Sequence, residues 1–471
     1  MPSEPPKGPV ELPEELLQHI FSFLHEPGEL RLLHKDRDAR LGLSTLVNVA
    51  LTNRAYSRIV QPELYNTLFI ADDPYAIRPI LFLKTLLEQP DTGKLVREVH
   101  SGLWSVDLST REQRRSASHR KETSQVSQVL QIAVGHARVP ALSWTYIQAY
   151  LRQKDPASAG KEDPSIAGIA MILPFTPELR FLAFSVTDSV AQSPIMTALR
   201  HVDLPHLSEI QVACEAQPQL DHFIEFLQRP ELRTFRVHGT ECEEESTRIL
   251  AKSLLSPKLQ RVMFEHSFVD AIGLARLLAS APGLKVLSVH WGLPITETQM
   301  INFGAIGQAF RDHGTKLESL RLESEDAGEV DSSLNVNLSL GDLKDLVSLR
   351  QLALPHHALC GQEDDGKIAE CSHDHLTRIL PPSLRSLEIR LPKNIEMLGM
   401  SEDDLYAEDE VNMGYKVLDL QLVELMRSEG HQELCRLIVH RYDEFTCSED
   451  AEALGWSLSR NDDTFTLRRR K

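Results

Sequence analysis

The residues best suited to chemistry gather between positions 356 and 375. There His356, His357, Cys360, Cys371, His373 and His375 flank an acidic Glu363-Asp364-Asp365 step. Thiolate and imidazole are ligands that zinc takes, so a run this dense could hold a metal. The spacing argues the other way. No Cys-x-x-Cys pair is present and ten residues separate the two cysteines, so the stretch reads as a solvated loop between structural units. No metal or other cofactor is expected.

Other charged runs are weaker candidates. Arg111, Arg114, Arg115, Arg120 and Lys121 lie in a Ser-rich stretch, and Arg468-Arg469-Arg470-Lys471 is a second basic run. Either could contact phosphate or direct nuclear import, but short basic runs are more often simply solvated. The acidic cluster of Glu402, Asp403, Asp404, Glu408, Asp409 and Glu410 reads as an exposed loop insertion, without catalytic carboxylates. There is no Gly-x-x-x-x-Gly-Lys-Ser/Thr loop, no Gly-x-Gly-x-x-Gly, no Gly-x-Ser-x-Gly elbow and no His-Glu-x-x-His helix. No residue stands out as nucleophile or base, and the chain is expected not to be an enzyme.

Bulk properties narrow the partners. A chain of 471 residues has room for two or three domains. Its net charge of −18 argues against nucleic acid or an anionic membrane as the main partner. Six scattered cysteines make no disulfide framework, which points to a reducing compartment. Residues 1–11 carry Pro and Glu with no apolar core, unlike a signal peptide. The longest apolar stretch, from Ile166 to Leu173, stops at Pro174 and is too short to span a bilayer. The expectation is a soluble intracellular protein of the cytoplasm, the nucleus or both.

The elements that would position these residues follow one phrase, Leu-x-x-apolar-x-apolar. It occurs as Leu179-Leu182-Phe184, Leu207-Ile210-Val212, Leu232-Phe235-Val237, Leu259-Val262-Phe264 and Leu284-Leu287-Val289. It returns as Leu317-Leu320-Leu322, Leu349-Leu352-Leu354, Leu384-Leu387-Ile389 and Leu434-Leu437-Val439. Successive first leucines are 28, 25, 27, 25, 33, 32, 35 and 50 residues apart. The early intervals fit leucine-rich repeats, and the later ones fit repeats with loop insertions. Val139-Leu142-Trp144 and, more weakly, Val96-Val99 extend the series. Pro177, Pro205, Pro230, Pro257, Pro282 and Pro382 stand just upstream of the phrase. Alternation puts the apolar side chains on one face of a short strand. Helical runs lie between: Leu220-Phe223-Ile224-Leu227, Ile249-Leu250-Leu254 and Ile272-Leu274-Ala275-Leu277-Leu278. A strand-plus-helix unit cannot bury its apolar side alone, so neighbours are expected to stack into a curved solenoid. Helical spacing also marks Ile77 to Leu87 and Val126 to Val134. A non-repeating α/β domain with parallel strands is the alternative.

Near the N-terminus, Leu16, Leu17, Ile20, Phe21 and Leu24 make one wide apolar helical face, with Pro13 at a first helical position and Glu14 and Glu15 at the positive end of the dipole. Leu43, Leu46, Val47, Ala50 and Leu51 keep the same spacing, and Asn53-Arg54 leads to Ile59, Val60 and Leu64. Three short amphipathic helices follow, with apolar surface left to cover. The wording Leu12-Pro13-x-x-Leu16-x-x-x-Ile20-Phe21-x-x-Leu24, then Leu46-Val47-x-Val49-Ala50-Leu51-Thr52-Asn53-Arg54, then Ile59-Val60-Gln61-Pro62-x-Leu64-Tyr65 resembles an F-box. It is closest to the F-box–leucine-rich-repeat proteins common in fungi. One departure is a charged insert, residues 25–42, where the family has a short link.

The resemblance implies an α/β chain: a leader at 1–9, a three-helix F-box at 10–66, and at 67–471 a leucine-rich-repeat solenoid of strand-plus-helix units. Degenerate repeats are expected, because Thr240, Ser267 and Gly292 stand where the family has Asn or Cys. Tyr65 to Ile70 would be a strand joining the two parts without a flexible linker. The F-box would dock the Skp adaptor, and through it a cullin, by Leu12, Pro13, Leu16, Ile20, Phe21, Leu24, Leu46 and Val49, a set that mixes core with interface. The repeats would hold an unknown protein substrate for ubiquitination. A repeat scaffold acting outside any ligase is the alternative. No nucleic acid and no membrane is expected as partner.

Overall fold

The structure, a computed structural model, describes residues 13–23, 36–70, 77–101, 164–186, 193–214, 216–292, 301–324, 339–361, 371–391, 408–440, 445–461 and 464–470. It is a mixed α/β fold with helices at the N-terminus and a strand-rich sheet after them, in two compact units, Met1–Glu209 and Ile210–Lys471.

The first unit opens on helices α1 (Glu14–Phe23), α2 (Asp36–Thr52) and α3 (Arg54–Asn66). The Pro13 carbonyl accepts the amides of Leu16 and Leu17, both at 3.1 Å, and so starts α1. Asn53 separates α2 from α3. Its backbone is extended, and its side chain accepts the Tyr56 amide at 2.8 Å, which satisfies a donor the first turn would leave orphaned. Phe21, Leu46, Ile59 and Val60 form the core of the three helices, with Leu17, Val49, Ala50, Tyr56 and Leu64 packed against it. Phe21 meets the Tyr56 ring edge-on at 6.2 Å. Residues 36–42, expected within a charged insert, form the start of α2, so helix propensity wins there over the loop reading. The rest of that insert lies outside the described residues.

Strand β1 (Thr67–Ile70) follows α3 directly, β2 (Glu98–Ser101) pairs with it in parallel, and β3 (Phe181–Val186) pairs in parallel with β2, which sets Leu68 beside Val99 beside Leu182. Tyr65 and Asn66, expected in the strand, complete the last turn of α3 instead. The Asn66 carbonyl nevertheless accepts the Arg97 amide at 2.8 Å, so the hydrogen-bond ladder begins inside the helix end. Helix α4 (Ile77–Glu88) sits where helical spacing places it, and its Phe82 ring lies 6.1 Å from that of Tyr65. The segments 126–134 and 139–144 lie outside the described residues.

The second unit carries β4 (Glu209–Cys214), β5 (Thr234–His238), β6 (Glu241–Cys242), β7 (Arg261–Glu265), β8 (Phe268–Val269), β9 (Val286–His290), β10 (Ser319–Glu323), β11 (Gln351–Pro355), β12 (Ser386–Arg390), β13 (Arg436–His440), β14 (Trp456–Asn461) and β15 (Thr464–Arg469). Its main sheet runs β4-β5-β7-β9-β10-β11-β12-β13-β15-β14. Pairing is parallel from β5 through β13, and the β14–β15 hairpin adds on antiparallel. The register lines up one core row, Phe235, Val262, Leu287, Leu320, Leu352, Leu387 and Leu437. Every residue of the nine recurring phrases is buried.

The prolines have a local job. Each opens a turn whose last residue is the first leucine of the phrase: the Leu179 amide donates to Thr176, Leu207 to Leu204, Leu232 to Arg229, Leu259 to Ser256, Leu284 to Ala281 and Leu384 to Pro381. After Leu179, Leu232, Leu259, Leu284 and Leu384 the next residue's carbonyl then takes two amides from the following unit. Arg233, for example, accepts Gln260 and Arg261, both at 2.9 Å. Past the strands, the Thr240 hydroxyl donates to the Pro218 carbonyl at 2.6 Å and the Ser267 hydroxyl accepts the Thr240 amide at 3.1 Å, so turns of neighbouring units are stitched together.

Two expectations fail here. The Ile249–Leu254 run is only a short 3-10 turn, Leu250–Lys252, with Ile249 and Leu254 exposed. Glu408, Asp409 and Glu410 begin a helix, Glu408–Arg427, rather than lying in a loop. No helix among the described residues is long and apolar enough to cross a membrane.

Candidate functional site

The three N-terminal helices divide the expected docking residues into two classes. Phe21 and Leu46 are buried in the core and cannot reach a partner without opening it, and Val49 is half-buried against them. Leu16 and Ile20, four residues apart on α1, remain 49 % and 47 % exposed. Pro13 is also exposed, while Leu12 and Leu24 lie outside the described residues. Two residues absent from that expected set join them: Val47 and Leu51, four apart on α2, are 43 % and 78 % exposed. Apolar positions spread too widely around α2 for one core were the available signal. The Glu14–Arg58 ion pair on the same unit, at 2.8 Å, is well exposed and adds little stability.

In the second unit, residues alternating with the core row form the other face of the sheet. Arg321, Ala353 and Glu388 stand side by side on β10, β11 and β12. Because Ala353 is small, Arg321 reaches over it to within 3.9 Å of Glu388. Arg390 bonds Glu388 at 2.9 Å and Glu323 at 3.1 Å, and His440 bonds Glu388 at 3.0 Å. Burial pushes the Glu388 carboxyl up, but hydrogen bonds from His440 and Arg390 and the charges of Arg321 and Arg390 outweigh it and hold the group down at about 2. The His238, His266 and His290 rings follow one another at 4.9 and 4.4 Å. Burial, together with the neighbouring His266, lowers the His238 imidazole. This face offers charged and aromatic groups in fixed positions.

The histidines and cysteines of 356–375 do not form a single loop. His356–Cys360 and His375–Ile379 are short helices. Cys360, Cys371 and His375 come together, their ligand atoms all within 4.8 Å of one another. His356 is buried and His357 half-buried, and desolvation holds their imidazoles down at about 3 and 4, so both are neutral. His373 is not in the group. A hydrogen bond with Cys360 lowers the Cys371 thiol against the effect of burial, with His375 adding to the shift, while that bond and burial raise Cys360. The Glu363–Asp365 step, the basic stretch 111–121 and the acidic residues 402–404 lie outside the described residues. Arg468 and Arg469 end β15.

Three comparisons with known proteins follow from this geometry. No curated protein matches the sequence. Among solved structures, the crystal structure of the TLR13-ssRNA13 complex is similar at 14 % identity with a TM-score of 0.33. That match covers 66 % of this chain and 32 % of the other, so this chain spans about a third of that structure's length, and a likeness so slight carries no argument. Residues 10–71 match the family model described as F-box-like. That span holds all three helices, the Asn53 cap and the exposed pairs Leu16–Ile20 and Val47–Leu51, and the chain therefore carries an F-box-like domain at residues 10–71.

Proposed function

We propose that this chain is the substrate-recognition subunit of a Skp–cullin–F-box ubiquitin ligase. The observation that carries the reading is the F-box-like domain whose apolar side chains Leu16, Ile20, Val47 and Leu51 remain uncovered around a complete core. In this reading they dock the Skp adaptor, and through it a cullin. The recurring strands are a degenerate leucine-rich-repeat solenoid. Support for it comes from the buried phrases, the shared register and the stacked turns. A protein substrate sits on the polar sheet face around Arg321, Glu388 and Arg390.

The chain itself catalyses nothing in this scheme. It raises the local concentration of a substrate lysine near a ubiquitin thioester carried by another subunit. Fully burying a large apolar side chain is worth about 1.5–3 kcal/mol, so removing one half-exposed contact and adding a charge weakens docking by well over tenfold. The test is co-purification of the full chain with the Skp adaptor. Leu16→Asp and Ile20→Asp should lose the adaptor while the second unit keeps its melting transition. Adaptor retained at the wild-type level by both variants refutes the assignment.

A further inference from the structure

We propose that Cys360, Cys371 and His375 are the protein ligands, among the described residues, of a single Zn2+ site. Their ligand atoms already lie within 4.8 Å of one another. Zinc bonds of about 2.3 Å to sulfur and about 2.0 Å to nitrogen set ligand atoms roughly 3.4–3.8 Å apart in a tetrahedron, so closing on the metal takes a movement of about 1 Å.

The three residues are held, not gathered by chance. Cys360 ends the helix His356–Cys360, and both other ligands hang from that helix's last carbonyls. The Cys371 thiol donates to the Cys360 carbonyl at 3.7 Å, and His375 Nε2 lies 3.1 Å from the Leu359 carbonyl. A carbonyl only accepts, so Nε2 carries the proton and Nδ1 keeps its lone pair. The ring lies within 4.8 Å of both sulfurs. A ligand histidine fixed by a backbone carbonyl through its other nitrogen is the arrangement that orients imidazole for a metal.

The surroundings suit a soft cation. His356 Nε2 is 3.5 Å from the Cys360 sulfur, and this buried ring can donate its N–H to a metal-bound thiolate. Two thiolates and a neutral imidazole cancel the charge of Zn2+, so the partly buried complex carries no net charge. Ser372, next to Cys371, is anchored by Gln421 Nε2 to its carbonyl at 3.2 Å. All six cysteines are free thiols in the structure, so nothing competes for the two sulfurs. Bound zinc would tie the end of one short helix to the start of the next across residues 361–370.

The test uses the full chain, purified under reducing conditions and stripped with a chelator. Zn2+ is titrated in competition with a chromogenic chelator, and Co2+ is added to a parallel sample. One equivalent of zinc and a thiolate-to-cobalt charge-transfer band are expected. Cys371→Ser and His375→Ala should each weaken zinc binding by more than roughly 100-fold, the upper end of what losing a ligand's hydrogen-bond partner costs. Cys435→Ser, at an exposed thiol elsewhere, should bind zinc as the wild type does. Matching melting curves for the stripped variants and the stripped wild type show that the variants fold. Absence of the thiolate–cobalt band, undiminished zinc binding by both ligand variants, or recovery of Cys360 and Cys371 as a disulfide under those conditions overturns the proposal.

Discussion

His440 on β13 donates from Nε2 to the Glu388 carboxylate on β12 at 3.0 Å, closing a network in which Glu388 also takes Arg390 at 2.9 Å. Neighbouring strands place these groups in reach, since the register sets Arg390 directly opposite His440. An arginine and a histidine converging on one carboxylate explain why it stays ionised although burial opposes the charge.

Acid should therefore weaken the second unit through Glu388. Its folded-state group is held at about 2, below the ordinary value of 4.5. A depressed carboxylate contributes stability that is whole above the unfolded value and is lost as pH falls toward the folded one. The window is thus from about pH 5 down to about pH 2, and the shift corresponds to roughly 3 kcal/mol. Urea melts at neutral pH and near pH 3 should show this acid loss in the wild type. In Glu388→Gln the loss should be smaller and neutral-pH stability already reduced. An identical acid slope in both proteins contradicts the account.

Gly307 lies inside the helix Phe303–His313, where alanine is ordinarily the better residue by about 1 kcal/mol. Here the helix packs on the backbone of residue 340, and a Cβ at Gly307 would stand 1.9 Å from the Leu340 carbonyl oxygen. Backbone cannot step aside as a flexible side chain can, so the steric cost exceeds the propensity gain. Gly307→Ala should destabilise the protein by about 1–3 kcal/mol, read from the urea midpoint. Stabilisation would mean that the helix is not seated this closely.

The core row makes a sharper contrast. Leu352 is 2 % exposed and pairs with Leu320 and Leu387, while Val347, a few residues before it, is 66 % exposed. Leu352→Ala leaves a cavity between two strands and should cost about 2–5 kcal/mol. Val347→Ala should change stability by less than about 0.5 kcal/mol. Thermal melts of the two variants test whether the recurring leucines bear the stability that the register assigns them.

What could be read from residue order alone follows the range of the interaction. The Leu179-Leu182-Phe184 phrase and its relatives were legible because a turn-opening proline, an alternating strand and a buried face all act within ten residues. The three N-terminal helices were legible for the same reason, although the capping role of Asn53 between α2 and α3 was not. Spacing could not say where α3 ends, because Tyr65 and Asn66 suit a strand as well as a last helical turn. It also could not place Ile249 and Leu254, whose helical spacing meets no surface to bury against. The meeting of Cys360 with Cys371 and His375 depends on two short helices turning toward one another. A search for closely spaced cysteine pairs cannot detect that. Nor could spacing separate Phe21 from Ile20, which are neighbours in the chain but face the core and the solvent respectively.

That last distinction supplies the most discriminating experiment on the docking face. If the exposed pairs form the contact, Val47→Asp and Leu51→Asp on α2 should weaken Skp adaptor binding as Leu16→Asp does. Both side chains already face water, so the charge costs the isolated protein little and the first unit should stay folded. Phe21→Ala should also lose the adaptor, but by a different route: it empties the core beside Tyr56 and should cost about 3–5 kcal/mol of stability. Leu254→Asp, at a 79 % exposed position of the second unit, is the control and should bind normally. Titration of the adaptor against each full-length variant, paired with a melting curve, separates the two routes. Normal binding by Val47→Asp and Leu51→Asp would confine the contact to α1, and loss of binding in Leu254→Asp would mean that exposed apolar groups matter here without regard to place.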